Sequence, residues 1–431
     1  MKKLILLIET IVYVISALLF TQTGEISFLW VISIVDILIV WKEYNYSTAR
    51  IIMFFSLFLI TLCGNTNYLM FCAIADFVIT ITIVLLGDHT ISSKWKVAVP
   101  WIVLTLTGSI SGLLFALDKT FYHVGVEVYV LLLLILLSSE FLSGKQTIAY
   151  SIVLRNICAI NAGIVALFFS TNTFSDLLIK ARALIYLLGE TGIRSNTLGG
   201  IIVVFMAILF FSRIMFENIY DKVILYSILL LDVVILIFLQ SRGSYVALAI
   251  IFLISSLEKI LVDKNFNRSD MIKAFLTSAV AIILIFLPSI QNVLNNYVFA
   301  RFFNRTDISN GRFDTYLKSI DVWLEHPLCG HGFLQYAALE IENADPHNFI
   351  LGYLISTGLI GTMAFLVFLI KVYNSKGSRV MLNRAFKYAV LAQIVHGLFE
   401  PVLTQNLPLS LFIVICVLTV DSKRLEYIED E

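Results

Sequence analysis

The side chains best able to do chemistry lie in one polar stretch, residues 301–348, of an otherwise strongly apolar chain. The stretch contains Arg301, Arg305, Arg312, His326, His331 and the run Asp345-Pro346-His347-Asn348. Guanidinium groups bind phosphate oxygens through paired, charge-assisted hydrogen bonds, and an imidazole gains or loses a proton near neutral pH. Together these residue types predict a site for an anionic, lipid-borne substrate at one surface of a membrane.

His347 is the strongest candidate for a general base. Asp345 suits the N-cap of a following helix and Pro346 suits its first position, so the pattern predicts His347 in the first turn. The positive end of the helix dipole disfavours an imidazolium there. We therefore expect a neutral imidazole that can accept a proton, with Asn348 beside it as a supporting residue. The alternative is a histidine that only caps or packs.

Arg242 is the best candidate for an arginine that binds the anionic group. It stands in Ser241-Arg242-Gly243 and interrupts an apolar run from 223 to 258. A charge at membrane depth costs ~2.5–3.5 kcal/mol on insertion scales, so such a residue is expected to be paired or functional. A snorkelling arginine at the membrane interface is the structural alternative.

Four further arginines carry weaker predictions. Arg194 precedes Asn196, and a helix N-terminus with a guanidinium nearby suits phosphate. Arg312 begins a predicted amphipathic helix, while Arg301 and Arg305 would equally fit a strip of surface charge. We expect Arg194 and Arg312 to contact the anionic group together with Arg242, with Arg301 and Arg305 as further candidates for the same contact and Asn196 as a supporting residue.

The composition predicts an all-α, polytopic integral membrane protein. Of the 431 residues, 59% are hydrophobic and 14% are charged, whereas soluble domains carry roughly 25% charged residues. Twelve to fourteen apolar runs approach the ~20 residues that span a bilayer. They lie near 4–20, 27–41, 51–63, 68–86, 97–116, 126–142, 148–169, 196–213, 223–240, 244–258, 274–290, 349–371, 386–400 and 407–421. We expect a single transmembrane domain, 1–431, with an extracytoplasmic loop insertion at 291–348.

Lysine and arginine predict the orientation. Alternate loops hold most of the basic residues, which places both termini in the cytoplasm. Residues 1–20 are expected to be a retained first span, because no small-residue cleavage pattern follows their apolar run. The loops 170–195, 240–244 and 291–348 then share the outer side. In the last loop, apolar residues of 311–325 recur at helical spacing and predict an amphipathic helix on the membrane surface.

Several classes of site are absent from the sequence. No GxxxxGK[ST] run and no Asp-x-Asp run occur, and the five cysteines show neither a disulfide framework nor metal-ligand spacing. The charges inside spans are Asp36, Asp76, Asp232 and Arg155. We expect Arg155 to pair with one of these aspartates, although intramembrane charges can also mark a transport path.

These motifs resemble the O-antigen ligase and Wzy-type polysaccharide polymerase superfamily. The resemblance rests on Ser241-Arg242-Gly243, on Arg312 through Trp323 to Pro327, on Gly330-His331-Gly332, on His347-Asn348 followed by Gly358-Leu359-Ile360-Gly361, and on Arg194-Ser195-Asn196 with Gly199. It covers roughly residues 190 to 370. The first 190 residues resemble the family only as a series of spans.

The resemblance implies a GT-C-like glycosyltransferase of the cytoplasmic membrane that needs no nucleotide sugar, metal or other cofactor. Its donor would be an oligosaccharide on undecaprenyl pyrophosphate, and flippase and chain-length regulator proteins would be its partners. The expected reaction polymerises repeat units into a capsule, exopolysaccharide or O-antigen. A ligase that transfers finished glycan is the first alternative, and a lipid-linked oligosaccharide transporter is the second.

Overall fold

The computed structural model describes residues 5–63, 67–86, 97–116, 118–142, 148–171, 195–239, 241–261, 312–335, 346–374, 381–400 and 402–420. Over these ranges the chain forms fourteen α-helices and no strand, which confirms the all-α prediction. The helices are α1 Ile5–Thr23, α2 Ser27–Glu43, α3 Tyr46–Leu62, α4 Asn67–Leu86, α5 Ala98–Phe115, α6 Lys119–Leu142, α7 Tyr150–Thr171, α8 Ser195–Phe211, α9 Ile219–Leu239, α10 Arg242–Leu261, α11 Arg312–Glu325, α12 Phe349–Tyr373, α13 Met381–Gly397 and α14 Asn406–Val420.

The helices have the length and surface of a multi-pass membrane protein. Six of them, α1, α5, α6, α7, α9 and α12, are long and apolar enough to cross a bilayer, and five shorter apolar helices accompany them. Large apolar side chains face outward, such as Leu113 on α5 and Leu230 on α9. An apolar exterior of this kind is stable in lipid and costly in water. The predicted span at 274–290 lies outside the described residues.

One predicted ion pair has a different partner. Asp76 on α4 is paired with Arg50 on α3, whose Nε and Nη2 donate to its two carboxylate oxygens at 2.8 Å each. Arg50 is 3% exposed. Arg155 is not among the described partners of Asp76, because this buried carboxylate is stabilised by the nearest bidentate guanidinium, which is that of Arg50.

The other two intramembrane aspartates accept hydrogen bonds from α7. Asn156 Nδ2 donates to Asp36 at 2.7 Å, and Asn161 Nδ2 donates to Asp232 at 2.8 Å. These bonds link α7 to α2 and to α9. The described contacts of both aspartates are therefore those of a structural polar network between packed helices.

Helix α12 is broken at Gly358, which corrects the prediction of a continuous span at 349–371. Gly358 has φ 61° and ψ −163°, a conformation open essentially to glycine alone. The ring of Phe365 lies 5.8 Å from the ring of Phe349 and 4.2 Å from that of Tyr353. In a straight helix these pairs would be separated by ~24 and ~18 Å along the axis. The two parts of α12 therefore fold against each other, and the residues before Phe349 are recessed into the bundle.

The segment after α11 satisfies the backbone groups that this break exposes. The amides of His331 and Gly332 donate to the carbonyls of Ile355 and Ser356 at 2.8 Å each. On the other side of the break, the amides of Leu359 and Ile360 donate to Pro327 and Leu328. A broken helix is tolerated inside a membrane protein when other parts of the protein satisfy its backbone. The Gly330-His331-Gly332 motif thus holds α12 in its folded form.

Candidate active site

His347 lies just before α12 and not in its first turn, which corrects the prediction. The helix begins at Phe349, and Asn348 is its N-cap, because Asn348 Oδ1 accepts the amide hydrogens of Ile350 and Leu351 at 2.8 and 3.4 Å. Asp345, the predicted cap, lies outside the described residues. His347 has φ 48°, in the left-handed region that few side chains adopt. The left-handed backbone of His347 and the Asn348 cap that follows it set the direction of the His347 ring.

Glu400 is the centre of the site. It lies after the end of α13 in the turn toward α14, and its side chain is 7% exposed. Its Oε2 lies 3.2 Å from Nδ1 of His347, and its Oε1 accepts hydrogen bonds from Arg312 Nη2 at 2.8 Å and Asn196 Nδ2 at 2.6 Å. Three residues from α8, α11 and the start of α12 therefore meet on one carboxylate.

The charges around Glu400 decide its protonation state. Burial by itself would raise the pKa of this carboxyl group. The hydrogen bond with His347 and the nearby charge of Arg312 oppose burial, and the pKa of Glu400 is lowered from its ordinary value of 4.5. Glu400 is thus an anion at neutral pH, able to accept hydrogen bonds and unable to donate them.

An ionised Glu400 fixes the orientation of the His347 ring. Because the carboxylate only accepts, the proton of a neutral imidazole resides on Nδ1, and Nε2 carries the free lone pair. The side chain of His347 is 26% exposed, so part of the ring is open to a substrate. A base whose second nitrogen is held by a carboxylate is the arrangement that general-base catalysis requires. The sequence predicted that the dipole of α12 acts on His347. In the structure, the group that contacts the His347 ring is instead the Glu400 carboxylate.

Close helix packing brings the N-terminus of α10 to the same place. A Cβ on Gly199 or Gly200 of α8 would overlap Ser244 of α10 or His396 of α13, and one on Gly243 would lie 3.2 Å from His396 Cδ2. These helices can approach only because no side chain intervenes. Arg242, the first residue of α10, therefore begins its helix beside the turn of α13 that leads to Glu400.

Of the eight residues predicted from the sequence, the structure brings four together at this site. Asn196, Arg312 and His347 contact Glu400, and Asn348 Nδ2 donates to the Leu398 carbonyl at 3.3 Å, which ties α12 to the same turn. Arg242 begins α10, which packs against both α8 and α13. Arg194, Arg301 and Arg305 fall outside the described residues, so their roles stay predictions.

Glu400 itself was missed. It closes the span predicted at 386–400, and the predicted orientation puts it on the same side as His347. A carboxylate at the edge of a span, on the face predicted to carry Arg242 and Arg312, is the signal that could have found it. Among the described residues, no group of three His, Cys, Asp or Glu side chains is placed to hold a metal ion.

Comparison with known protein families identifies the region that carries most of this site. Residues 225–366 match the family described as O-antigen ligase, which confirms the resemblance over about a third of the chain. The match includes Arg242, Arg312 and His347, whereas Asn196 and Glu400 lie outside it. A search of curated proteins gave no match.

Proposed function

Because residues 225–366 carry a domain of the O-antigen ligase family in a multi-pass membrane protein, we propose that this chain is a membrane glycosyltransferase that polymerises lipid-linked oligosaccharide repeat units. The donor is an oligosaccharide on undecaprenyl pyrophosphate, and the product is a surface polysaccharide. The contact of His347 with Glu400, beside Arg312, carries this proposal, since it joins an oriented base to a cation that suits a diphosphate.

The reaction is a direct displacement at the anomeric carbon of the donor sugar. An acceptor hydroxyl donates its proton to His347 Nε2 while its oxygen forms the new bond to the anomeric carbon. The bond from that carbon to the diphosphate oxygen breaks, and the electron pair leaves with the diphosphate. Attack opposite the leaving group inverts the anomeric configuration. General-base help of this kind contributes typically 10²–10⁴-fold, or about 3–5 kcal/mol of the barrier.

The members of the site divide the tasks of this mechanism, and Arg312 has two of them. Glu400 stabilises the imidazolium that His347 becomes, and Asn196 and Arg312 keep Glu400 in place. Arg242 and Arg312, with Arg194, neutralise the charge that grows on the leaving diphosphate. Guanidinium forks suit this task because they bind two oxygens at once and stay charged at every relevant pH.

The site faces the outer side of the cytoplasmic membrane in this proposal. The distribution of lysine and arginine along the chain supports it, because alternate loops on the other side carry most of the basic residues. The site lies at the predicted outer ends of α8, α10, α12 and α13. There it can meet a lipid-linked donor after that lipid has crossed the bilayer, so a flippase would act before this enzyme and a chain-length regulator beside it.

The experiment that tests the function uses purified protein in lipid nanodiscs with lipid-linked oligosaccharide as the sole substrate. We expect wild-type protein to make products of two and more repeat units, separable by gel or mass spectrometry. His347→Ala should lower the rate by about 10²-fold or more if it inserts normally. His123→Ala, at an exposed histidine of α6, is the matched control and should be fully active.

Three outcomes would separate the candidate functions. Normal polymer made by a stably inserted His347→Ala protein would contradict the base assignment. Transfer only to a different acceptor, with no lengthening of the lipid-linked chain, would make the enzyme a ligase. Movement of the lipid across a membrane with no new glycosidic bond would make it a transporter.

A further inference from the structure

Helix α11 presents three different faces. At 100° per residue, Ser319, Val322 and Trp323 fall on one side, where Ser319 is fully buried and the other two pack against Ile355 of α12. A second, apolar side is exposed. The third side carries the charges of Asp314, Lys318, Asp321 and Glu325. A helix with protein, apolar and charged faces in this order belongs at the edge of a bilayer.

The exposed apolar face is a continuous stripe, which we define as Phe313, Leu317, Ile320 and Leu324. The exposed fractions of these side chains are 71%, 62%, 37% and 56%. The stripe continues into the surface of α12, because Leu328 follows it in the chain and accepts the amide hydrogen of the exposed Ile360. Its apolar surface is therefore joined to the face that a membrane-spanning helix turns toward lipid.

Next to the stripe, α11 carries two polar groups that face the active site. Arg312 donates to Glu400 at 2.8 Å, and Tyr316 is one turn further on, so both lie on the same side of the helix. Tyr316 lies close enough to Arg312 and Glu400 to sense both charges. Burial, with the charge of Glu400, raises the pKa of the phenol, so it stays protonated. None of the described residues accepts a hydrogen bond from this hydroxyl, and a protonated phenol can donate one to a ligand.

We propose that α11 is the helix that binds the lipid-linked donor, with Arg312 and Tyr316 on the diphosphate and the stripe beside the first isoprene units. The inference rests on the proposed function, which supplies a lipid diphosphate as substrate. It adds which element recognises the two chemically different parts of that molecule. Tyr316 donates a hydrogen bond to a phosphate oxygen that Arg312 already attracts.

The covalent link between head and tail explains why the stripe lies where it does. An isoprenoid chain joined to a diphosphate at Arg312 must leave the site within a few ångströms of that residue, and it is excluded from water. Phe313 and Leu317 form the exposed apolar surface next to Arg312. The tails of bulk lipid are as apolar as the isoprenoid chain of the donor. The stripe therefore stabilises the bound isoprenoid by packing and proximity and not by removing it from water. The expected contribution is accordingly modest.

Two probes without sugar separate the head contacts from the tail contacts. Binding of inorganic pyrophosphate and of undecaprenyl diphosphate to the full-length protein in nanodiscs is measured by native mass spectrometry. We expect Tyr316→Phe to weaken both probes about threefold to tenfold, the loss of one hydrogen bond. The double variant Leu317→Ala, Leu324→Ala should weaken undecaprenyl diphosphate about fivefold and leave pyrophosphate unchanged. Alanine keeps the helix propensity of α11.

The controls make each result decisive. Leu230→Ala, a lipid-facing position on α9, should change neither affinity. Unchanged binding of undecaprenyl diphosphate to the double variant would mean that only bulk lipid covers the stripe and would overturn the inference. Equal loss of both probes would also overturn it, since the stripe would then act only by placing Arg312. Binding of neither probe to wild-type protein would instead contradict the proposed function itself.

Discussion

Glu400 follows His347 by 53 residues, yet its Oε2 lies 3.2 Å from Nδ1 of the histidine. His347 immediately precedes α12 and Glu400 follows α13, so the contact joins the start of one helix to the turn after another. The break at Gly358 and the cap of Asn348 recess His347 into the bundle until it meets the turn after α13. The contact between His347, the proposed base, and Glu400 therefore depends on this fold.

Glu400→Gln should reduce turnover about 10²-fold, ~3 kcal/mol of barrier, with little change in donor binding. The amide oxygen can still accept the Nδ1 hydrogen of His347, but it offers no negative charge to stabilise the imidazolium. The measurement is kcat and KM for the lipid-linked donor in nanodiscs. Glu258→Gln is the matched control, because Glu258 pairs with Lys387 away from the site and should leave turnover intact. A fully active Glu400→Gln enzyme would remove the carboxylate from the mechanism.

The ionisation of Glu400 should make stability depend on pH in a defined direction. Its pKa in the folded protein is below the ordinary value of 4.5, so folding favours the carboxylate. The stabilisation that ionised Glu400 contributes is fully present above its pKa in the unfolded state. It is lost as the pH falls through its pKa in the folded state. Thermal unfolding in detergent, followed from neutral pH down to about pH 3, should therefore show a gap between wild type and Glu400→Gln that narrows below about pH 4.5. A gap that is constant with pH would contradict an ionised Glu400.

Arg242→Lys should raise the donor KM about tenfold while the protein folds normally. Lysine retains the positive charge but loses the planar fork that binds two phosphate oxygens. The measurement is initial rate against donor concentration. Arg213→Lys, in the short 3₁₀ helix after the far end of α8, is the control and should leave KM unchanged. Wild-type KM in Arg242→Lys would show that bidentate binding at this position is not used.

Gly358→Ala should destabilise the protein by ~3 kcal/mol or more. An alanine there must keep a positive φ of 61°, and its Cβ would overlap the backbone of Leu328 and Cys329. Gly163→Ala is the control, since its added Cβ would meet the flexible end of Leu59 at 3.2 Å and Tyr13 at an ordinary contact distance of 3.7 Å. Thermal unfolding in detergent compares the two. Equal stability of both variants would argue against the folded form of α12.

The order of apolar and polar segments predicted much of this fold. Spans near 20 residues, an amphipathic segment at 311–325 and the positions of lysine and arginine are local properties, and a bilayer makes local hydrophobicity decisive. Ser241-Arg242-Gly243 and His347-Asn348 predicted a site for the same reason, because polar residues near lipid are costly without a function.

What the chain could not reveal by itself were the distances between separate segments. The sequence predicted that His347, Arg242 and Arg312 lie near one membrane surface, since hydrophobicity and charge set the depth of each residue. Only the tertiary structure decided that α12 folds back at Gly358, that Asn348 and not Asp345 caps it, and that Glu400 joins Arg312, Asn196 and His347. Lateral packing between helices depends on many side chains acting together, such as the glycines of α8 and α10 against His396, and no local pattern in the chain encodes it.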